Sequence, residues 1–557
     1  MIWPRGDGPV ATTVGRAPLI VAGPGARDGA PAGSGSFAGS HISASLPTHP
    51  APERPLADRL WRRFFLAGIA VTLTAGASWG AILLLDIAIH HSFTAPTIFA
   101  INAHAQAQIY GWVGLFIMGF AYQAFPRFWG TTLARPRVAA AALVPVVGGI
   151  ALRAVAEPLH DLPAMHTIAV LASALQLAGV LTFAFVIVAT ARRSERRTEP
   201  SDLYIGAAVA WFVVAAMFDL FHLIETMAAP SPQLLVRQIA TFQYPLRDLQ
   251  IHGLAMMMIF GVSLRQFPIW FATPAPRLAA ARRLWLPLQA AVVAEVVGFI
   301  LAMRTRAPGW MALFGLATVA LAGLVVLFVH NQRIFASQGV RDRSLKFVRA
   351  AQIWLLISLA MLVATPVYLH WTGSAFSHAW YGAMRHAITV GFISLTIMGV
   401  AGKVVPMLRG VGAARLPGLW LPFILVNLGC ALRVTMQVAT DFTRAVFPVA
   451  GASGLLEVVG LAVWGAGLAR LMFRRASLDS GPEASRAVSS RGSRPTAAID
   501  VAASVAETVR RYPGTLAVFS RHGMDSCCGG AESVANAAAH NGVDLPDLLE
   551  ELAHHVR

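Results

Sequence analysis

The chain has 557 residues, of which 56% are hydrophobic and 13% charged, and its mean hydropathy is +0.61. Soluble domains carry roughly 25% charged residues, so a soluble enzyme of this size is excluded and a polytopic membrane protein is expected. The formal net charge is +17, and 3 cysteines beside 17 histidines exclude a disulfide framework.

Residues 1–55 are rich in Gly, Ala, Pro and Ser, with no apolar run long enough for a signal peptide, and read as a disordered tail. A membrane domain follows over 56–475. Twelve segments there have spanning length: 64–88, 104–125, 138–157, 166–191, 203–227, 248–270, 284–303, 309–330, 349–371, 383–406, 418–438 and 447–473. Residues 476–498 form a polar linker. Residues 499–557 place apolar positions at helical spacing, punctuated by Pro513, Gly523, Gly529, Gly530 and Pro546, as in a small soluble helical domain. The expected fold class is all-α.

Charge sets the orientation. With the N-terminus inside, 24 basic residues flank the inner ends of the segments, and Arg237, Arg247, Arg304, Arg306 and Arg444 are the 5 outside. By the positive-inside rule both termini are cytoplasmic. The excess charge is then a topology signal, and no nucleic acid is expected as a partner; the expected surroundings are membrane lipid.

The membrane domain repeats three times. Met118-Gly119 leads to Pro126, Phe260-Gly261 to Pro268 and Met398-Gly399 to Pro406. Glycine precedes proline by seven residues in each copy, and Gln123, Arg265 or Lys403 lies three before the proline. The copies are 142 and then 138 residues apart, or four helices each. Glycine packing helices, proline ending them and the polar residue snorkelling to the inner surface account for the motif itself. Three units of four also differ from the two units of six in a major-facilitator transporter.

Ten histidines map to outer helix ends or outer loops: His90, His91, His104, His160, His166, His222, His252, His370, His378 and His386; His330 maps inside. Intramembrane ionisable groups are costly, and neutral imidazole is the commonest metal ligand. His104, His252 and His386 lie on the three repeat-bearing helices, 22, 16 and 20 residues before their prolines. His104 and His386 are the candidates for axial haem ligation. His252 is the candidate for a non-haem metal, with Asp248 one turn away to orient the ring. Asp219, His222 and Glu225 form a stripe suited to ligating a metal or relaying protons, or to a wet helix end. Gly149 to Arg153 matches Gly429 to Arg433, with Arg304 near the corresponding place. An arginine near hydrocarbon needs an anion, either a haem propionate or a lipid phosphate. Glu295 is a buried acid whose partner is Arg304, Arg306 or a proton path.

Twelve helices in three arcs, with outer histidines on the second, sixth and tenth, resemble subunit I of the haem–copper oxidase and nitric oxide reductase superfamily. The run His104-Ala-Gln-Ala-Gln-Ile-Tyr-Gly111 through Pro126-Arg127 resembles its second helix. Arg385-His386-Ala-Ile-Thr-Val-Gly391 more closely resembles the NnrS family, a haem- and copper-containing relative linked to nitric oxide handling. The resemblance implies His104 as a low-spin haem ligand, His252 as a copper ligand and His386 as a haem ligand. It departs in two places: segment 284–303 has no histidine, and Met384 stands where the oxidases place a second one. Haem, with copper as a second candidate, is therefore expected ahead of a full oxygen-reducing centre.

Tyr512-Pro513-Gly514 through Phe519, then His522-Gly523-Met524-Asp525-Ser526-Cys527-Cys528-Gly529-Gly530, is similar to the N-terminal domain of ScdA/YtfE-type iron–sulfur cluster repair proteins. The di-iron helical domain of those proteins has no counterpart in the sequence, so its chemistry is not carried over. Cys527 and Cys528 are expected to bind a soft metal, exchange disulfides or react with nitrosating species. Together these readings point to a membrane haem protein of nitric oxide metabolism or tolerance, in a bacterial-type cytoplasmic membrane, with an electron-donor protein or quinol as a candidate partner. The competing readings are a reductase catalytic subunit and a transporter of metal or a small solute.

Overall fold

The computed structural model describes residues 54–271, 273–336, 342–409, 411, 416–473, 499–515, 518, 519, 522, 524 and 533–556. The expected tail up to residue 53 and the linker up to residue 498 lie outside the described residues. The membrane domain comprises α1 (54–90), α2 (98–128), α3 (Pro136–Ala156), α4 (Pro163–Ala191), α5 (Pro200–Met227), α6 (Pro232–Phe271), α7 (Leu278–Thr305), α8 (Pro308–Gln332), α9 (Leu345–Thr372), α10 (His378–Leu408), α11 (Trp420–Ala439) and α12 (Arg444–Phe473). Local chemistry sets many of the ends. Proline opens α3, α4, α5, α6 and α8 at the first turn, where no amide hydrogen bond is lost. Gly373 ends α9 in the left-handed conformation.

The second, sixth and tenth helices differ from the rest. Thr97, Ser231 and Ser377 cap α2, α6 and α10, each accepting from a first-turn amide. The apolar windows of α6 and α10 are 78% and 72% buried, against 33–44% for the other spans, and α2 is buried along most of its length. These three are therefore the inner helices, and α12 packs back on α1 to close the outer layer around them. Among the described residues, eleven helices are long and apolar enough to cross a membrane. The expected twelfth, α2, is an unbroken helix that carries Asn102, His104, Gln106, Gln108 and Gln123. Protein rather than lipid covers it, so it needs less apolar surface.

Each inner helix widens into a π-helical segment: Ala107–Gly114, Leu249–Met256 and Ala387–Ser394. These segments are again 142 and 138 residues apart, so the sequence repeat is a repeat of backbone geometry. Wide turns of this kind are rare and recur at functional sites. Each contains a glycine, Gly111, Gly253 or Gly391, on which Val71, Trp211 or Trp354 of the preceding helix rests. Polar side chains tie the inner helices together. Trp112 Nε1 of α2 donates to Ser394 Oγ of α10 (3.0 Å), and Gln243 Nε2 of α6 donates to Asn102 Oδ1 of α2 (2.6 Å).

The polar residues of the repeat motif do more than snorkel. Arg265 pairs with Glu199 at 3.0 Å and Lys403 with Asp342 at 2.8 Å. These half-buried cations find carboxylates just before α5 and α9, which pins α6 and α10 within their own repeats.

The C-terminal unit holds α13 (Val505–Arg511), α14 (Val534–Asn541) and α15 (Leu545–Ala553). Ser504, Ser533 and Asp544 cap them. Val505, Phe519, Val534, Leu548 and Leu552 form its core. No strand occurs among the described residues beyond an isolated bridge between Ser504 and Ser533, so the all-α expectation holds.

A Cβ at Gly253 would lie 2.9 Å from the Trp211 ring, whereas one at Gly206 would meet nothing within 4 Å. Gly253→Ala is expected to destabilise the protein by about 1–3 kcal/mol through overpacking. Gly206→Ala is expected to be neutral or slightly stabilising. Thermal unfolding in detergent, followed by tryptophan fluorescence, compares the two.

Candidate haem and metal sites

The repeat register carries a charge pattern. His386 on α10 corresponds to Asp248 on α6 and Gln106 on α2 at the motif spacings. On the next helix of each arc, Arg153, Glu295 and Arg433 correspond in the same way. The counterpart of the two arginines is thus Glu295 and not Arg304, which lies over the Phe242 ring at 5.2 Å. Two arcs offer a cation at this position and the middle arc offers an acid.

In the first arc the cation is satisfied by protein. Arg153 is buried, its Nε donates to Glu157 Oε1 (2.5 Å), and its Nη1 donates to Gln176 Oε1 (3.0 Å) and to Asp219 Oδ2. Gln176 Nε2 donates onward to Gln106 Oε1 (2.6 Å). Arg153 therefore already holds its anions, and neither propionate nor phosphate is needed there. Asp219 is held by the same contact, and the buried Nε2 of His222 has no hydrogen-bond partner. The Asp219–His222–Glu225 stripe does not converge: Glu225 accepts instead from Gln238 Nε2 (2.7 Å).

In the third arc, His386 Nδ1 lies 2.8 Å from Gly382 O, and His104 Nδ1 lies 3.0 Å from Gly76 O at the end of the π-turn in α1. A Nδ1–H donated to a backbone carbonyl leaves Nε2 with its lone pair, the tautomer a metal ligand needs. Both imidazoles are half-buried. A Cβ on Gly80 would collide with the His104 ring, so that glycine makes room for it.

Two other guanidiniums are also buried, Arg433 on α11 and Arg247 on α6. Arg433 has Nε and Nη1 without hydrogen-bond partners, with Glu457 as its nearby carboxylate. Arg247, which the topology count placed in an outer loop, is buried within α6 and donates only to neutral amides, Gln250 Oε1 (2.8 Å) and Asn102 Oδ1 (3.0 Å). Arg247 is a buried cation that the hydropathy pattern did not reveal. Its signal was the register, which matches it with Arg385.

In the middle arc, His252 Nδ1 sits 2.9 Å from Glu295 Oε2 and 4.0 Å from Asp248 Oδ1. Glu295 thus finds its partner on α6, and neither Arg304 nor Arg306 supplies it. Asp248 Oδ1 accepts from Arg385 Nη2 of α10 (2.6 Å). Arg385 also stacks over Tyr244 at 4.6 Å and Tyr381 at 5.1 Å. Cys527 and Cys528 lie outside the described residues; nearby, His522 Nε2 and Glu551 Oε2 pair at 2.5 Å.

A polytopic bundle of three four-helix arcs around inner helices defines a class of multi-pass membrane protein. The model of the NnrS family, described as "NnrS protein", matches residues 56–475, and the chain belongs to that family. Residues 501–556 match a second model, that of the ScdA N-terminal region, described as a domain of unknown function (DUF542). Over 51 residues the chain is 45% identical to the iron-sulfur cluster repair protein ScdA of Staphylococcus epidermidis, in two strains. That match covers 9% of this chain and 23% of the relative, so the chain spans under a quarter of the length of these curated relatives.

Breaking a buried ion pair on one side costs about 3–5 kcal/mol, because the remaining charge is stranded. Arg153→Met is expected to lose that much stability, and adding Asp219→Asn and Glu157→Gln is expected to restore most of it. Unfolding midpoints of the single and triple variants measure the difference.

Proposed function

We propose that the protein is a haem-binding protein of nitric oxide metabolism or nitrosative-stress tolerance. It resides in a bacterial-type cytoplasmic membrane with both termini inside, as the basic residues at the inner helix ends support. The observation that carries the reading is the His104–His386 pair: two imidazoles from pseudo-equivalent helices, each with Nδ1 tied to a carbonyl. The surroundings fit haem, since Arg433 and Arg247 lack hydrogen-bonded carboxylates and suit two propionates. His104 and His386 would hold the iron, and Arg433 and Arg247 the propionates.

Haem in such a setting supplies one-electron chemistry whose potential is set by axial ligands and nearby charge. The protein's own part is to fix both imidazole tautomers, keep two cations beside the site and exclude water with the buried inner helices. An electron-donor protein or a membrane quinol is the matching partner. The C-terminal domain adds Cys527 and Cys528 on the inner side, as reactive thiols for nitrosative or iron–sulfur repair chemistry. The kinship with the ScdA N-terminal region supports that role.

Purified protein is expected to show a haem Soret band, and His104→Ala and His386→Ala each to lose most of the haem. An unchanged haem content in both variants would sink the assignment. Arg433→Gln is expected to keep haem but lower its midpoint potential, because a nearby positive charge favours the reduced form; spectroelectrochemical titration reads the sign. Cys527→Ser/Cys528→Ser is expected to leave the spectrum intact and raise cellular sensitivity to nitric oxide, and growth under a nitric oxide donor checks this.

A further inference from the structure

The middle arc contains a second constellation that the haem reading does not use. Asp248 and His252 on α6 and Glu295 on α7 offer donor atoms that all lie within 4.8 Å of one another. Donors around one ion, each at about 2.1 Å, lie no more than about 4.2 Å apart, so small side-chain rotations close the shell. The three residues are buried, both carboxylates fully so. Yet Asp248 Oδ2 and Glu295 Oε1 have no hydrogen-bond partner. A buried carboxylate oxygen without a partner is costly, and a cation is what relieves it.

Charge points the same way. Two carboxylates face one guanidinium, Arg385, which engages only Asp248 Oδ1. With His252 neutral the cluster carries a net negative charge in an apolar interior. Beside His252, a small cavity lined by Ser358, Leu362, Met384, Arg385 and Ile388 admits a water-sized molecule, which leaves space for an exogenous ligand on a bound ion.

We propose that Asp248, His252 and Glu295 form a binding site for a divalent cation of the Fe(II), Mn(II) or Zn(II) type, and that Arg385 competes with that cation for Asp248. One imidazole and two carboxylates are hard-to-borderline donors, which suit these ions; copper(I) selects thiolate or thioether sulfur. The donor set thus departs from the copper expected at His252. The site does not depend on haem. Its alternative occupant is a proton on His252, which neutralises the cluster without a metal.

Equilibrium dialysis of the purified full-length protein against Mn(II), Zn(II) and, under reducing conditions, copper(I), followed by metal analysis, separates these cases. One equivalent of Mn(II) or Zn(II) is expected to bind. Glu295→Gln and Asp248→Asn, which keep side-chain volume, are expected to weaken binding at least tenfold. Arg385→Gln is expected to tighten it at least tenfold by removing the competitor, a gain that misfolding cannot produce. The proposal is overturned if the wild type takes up no divalent cation, if both carboxylate variants bind as wild type, if Arg385→Gln leaves affinity unchanged, or if copper(I) alone binds. Cation binding without a Soret band would overturn the haem reading and leave this site standing; a Soret band without cation binding would do the reverse.

Discussion

An arginine among apolar helices must find its counter-charge inside the protein, because the hydrocarbon supplies no water to solvate it. Arg153, Arg247, Arg385 and Arg433 all face this constraint, and they meet it in different ways. Arg153 is saturated by Asp219, Glu157 and Gln176. Arg385 has one carboxylate oxygen and two aromatic faces. Arg247 has only amides, and Arg433 keeps two buried guanidinium nitrogens without acceptors. The gradient runs from a closed structural network to cations still able to take an anion. The open cations are Arg247 on α6 and Arg433 on α11.

The threefold architecture turns that gradient into a division of labour. Three arcs place equivalent π-helical segments at the centre, each opened by a capped helix end and pressed against its neighbour through a glycine. The backbone is repeated and the side chains are not. At one pair of positions the arcs carry Gln106 with Arg153, Asp248 with Glu295 and His386 with Arg433. One scaffold therefore carries a closed polar network in the first arc, two buried acids in the second, and an imidazole with a guanidinium in the third.

Much of this was legible in the sequence. Hydropathy placed twelve segments, and the Gly–Pro register divided them into three units. Boundaries shifted where polarity hid helix: α6 begins at Pro232, before the expected 248, because its first turns carry Gln233, Arg237, Gln238 and Gln243. Spacing along one helix correctly put Asp248 near His252. It could not reveal that Glu295, on another helix, is the closer partner, nor that Asp219 is taken by Arg153. Contacts between helices depend on rotation about each axis, which the local pattern does not encode. The register did encode part of it, since the 142-residue step from Arg153 lands on Glu295.

The central claim is that the third arc and α2 together hold a haem through His104 and His386. An experimental density map of the purified protein tests this most directly. Haem density held by His104 and His386, with Arg433 and Arg247 available to its carboxylates, is the expected result. Side chains or lipid filling the space between His104 and His386, with any haem bound elsewhere, would contradict it.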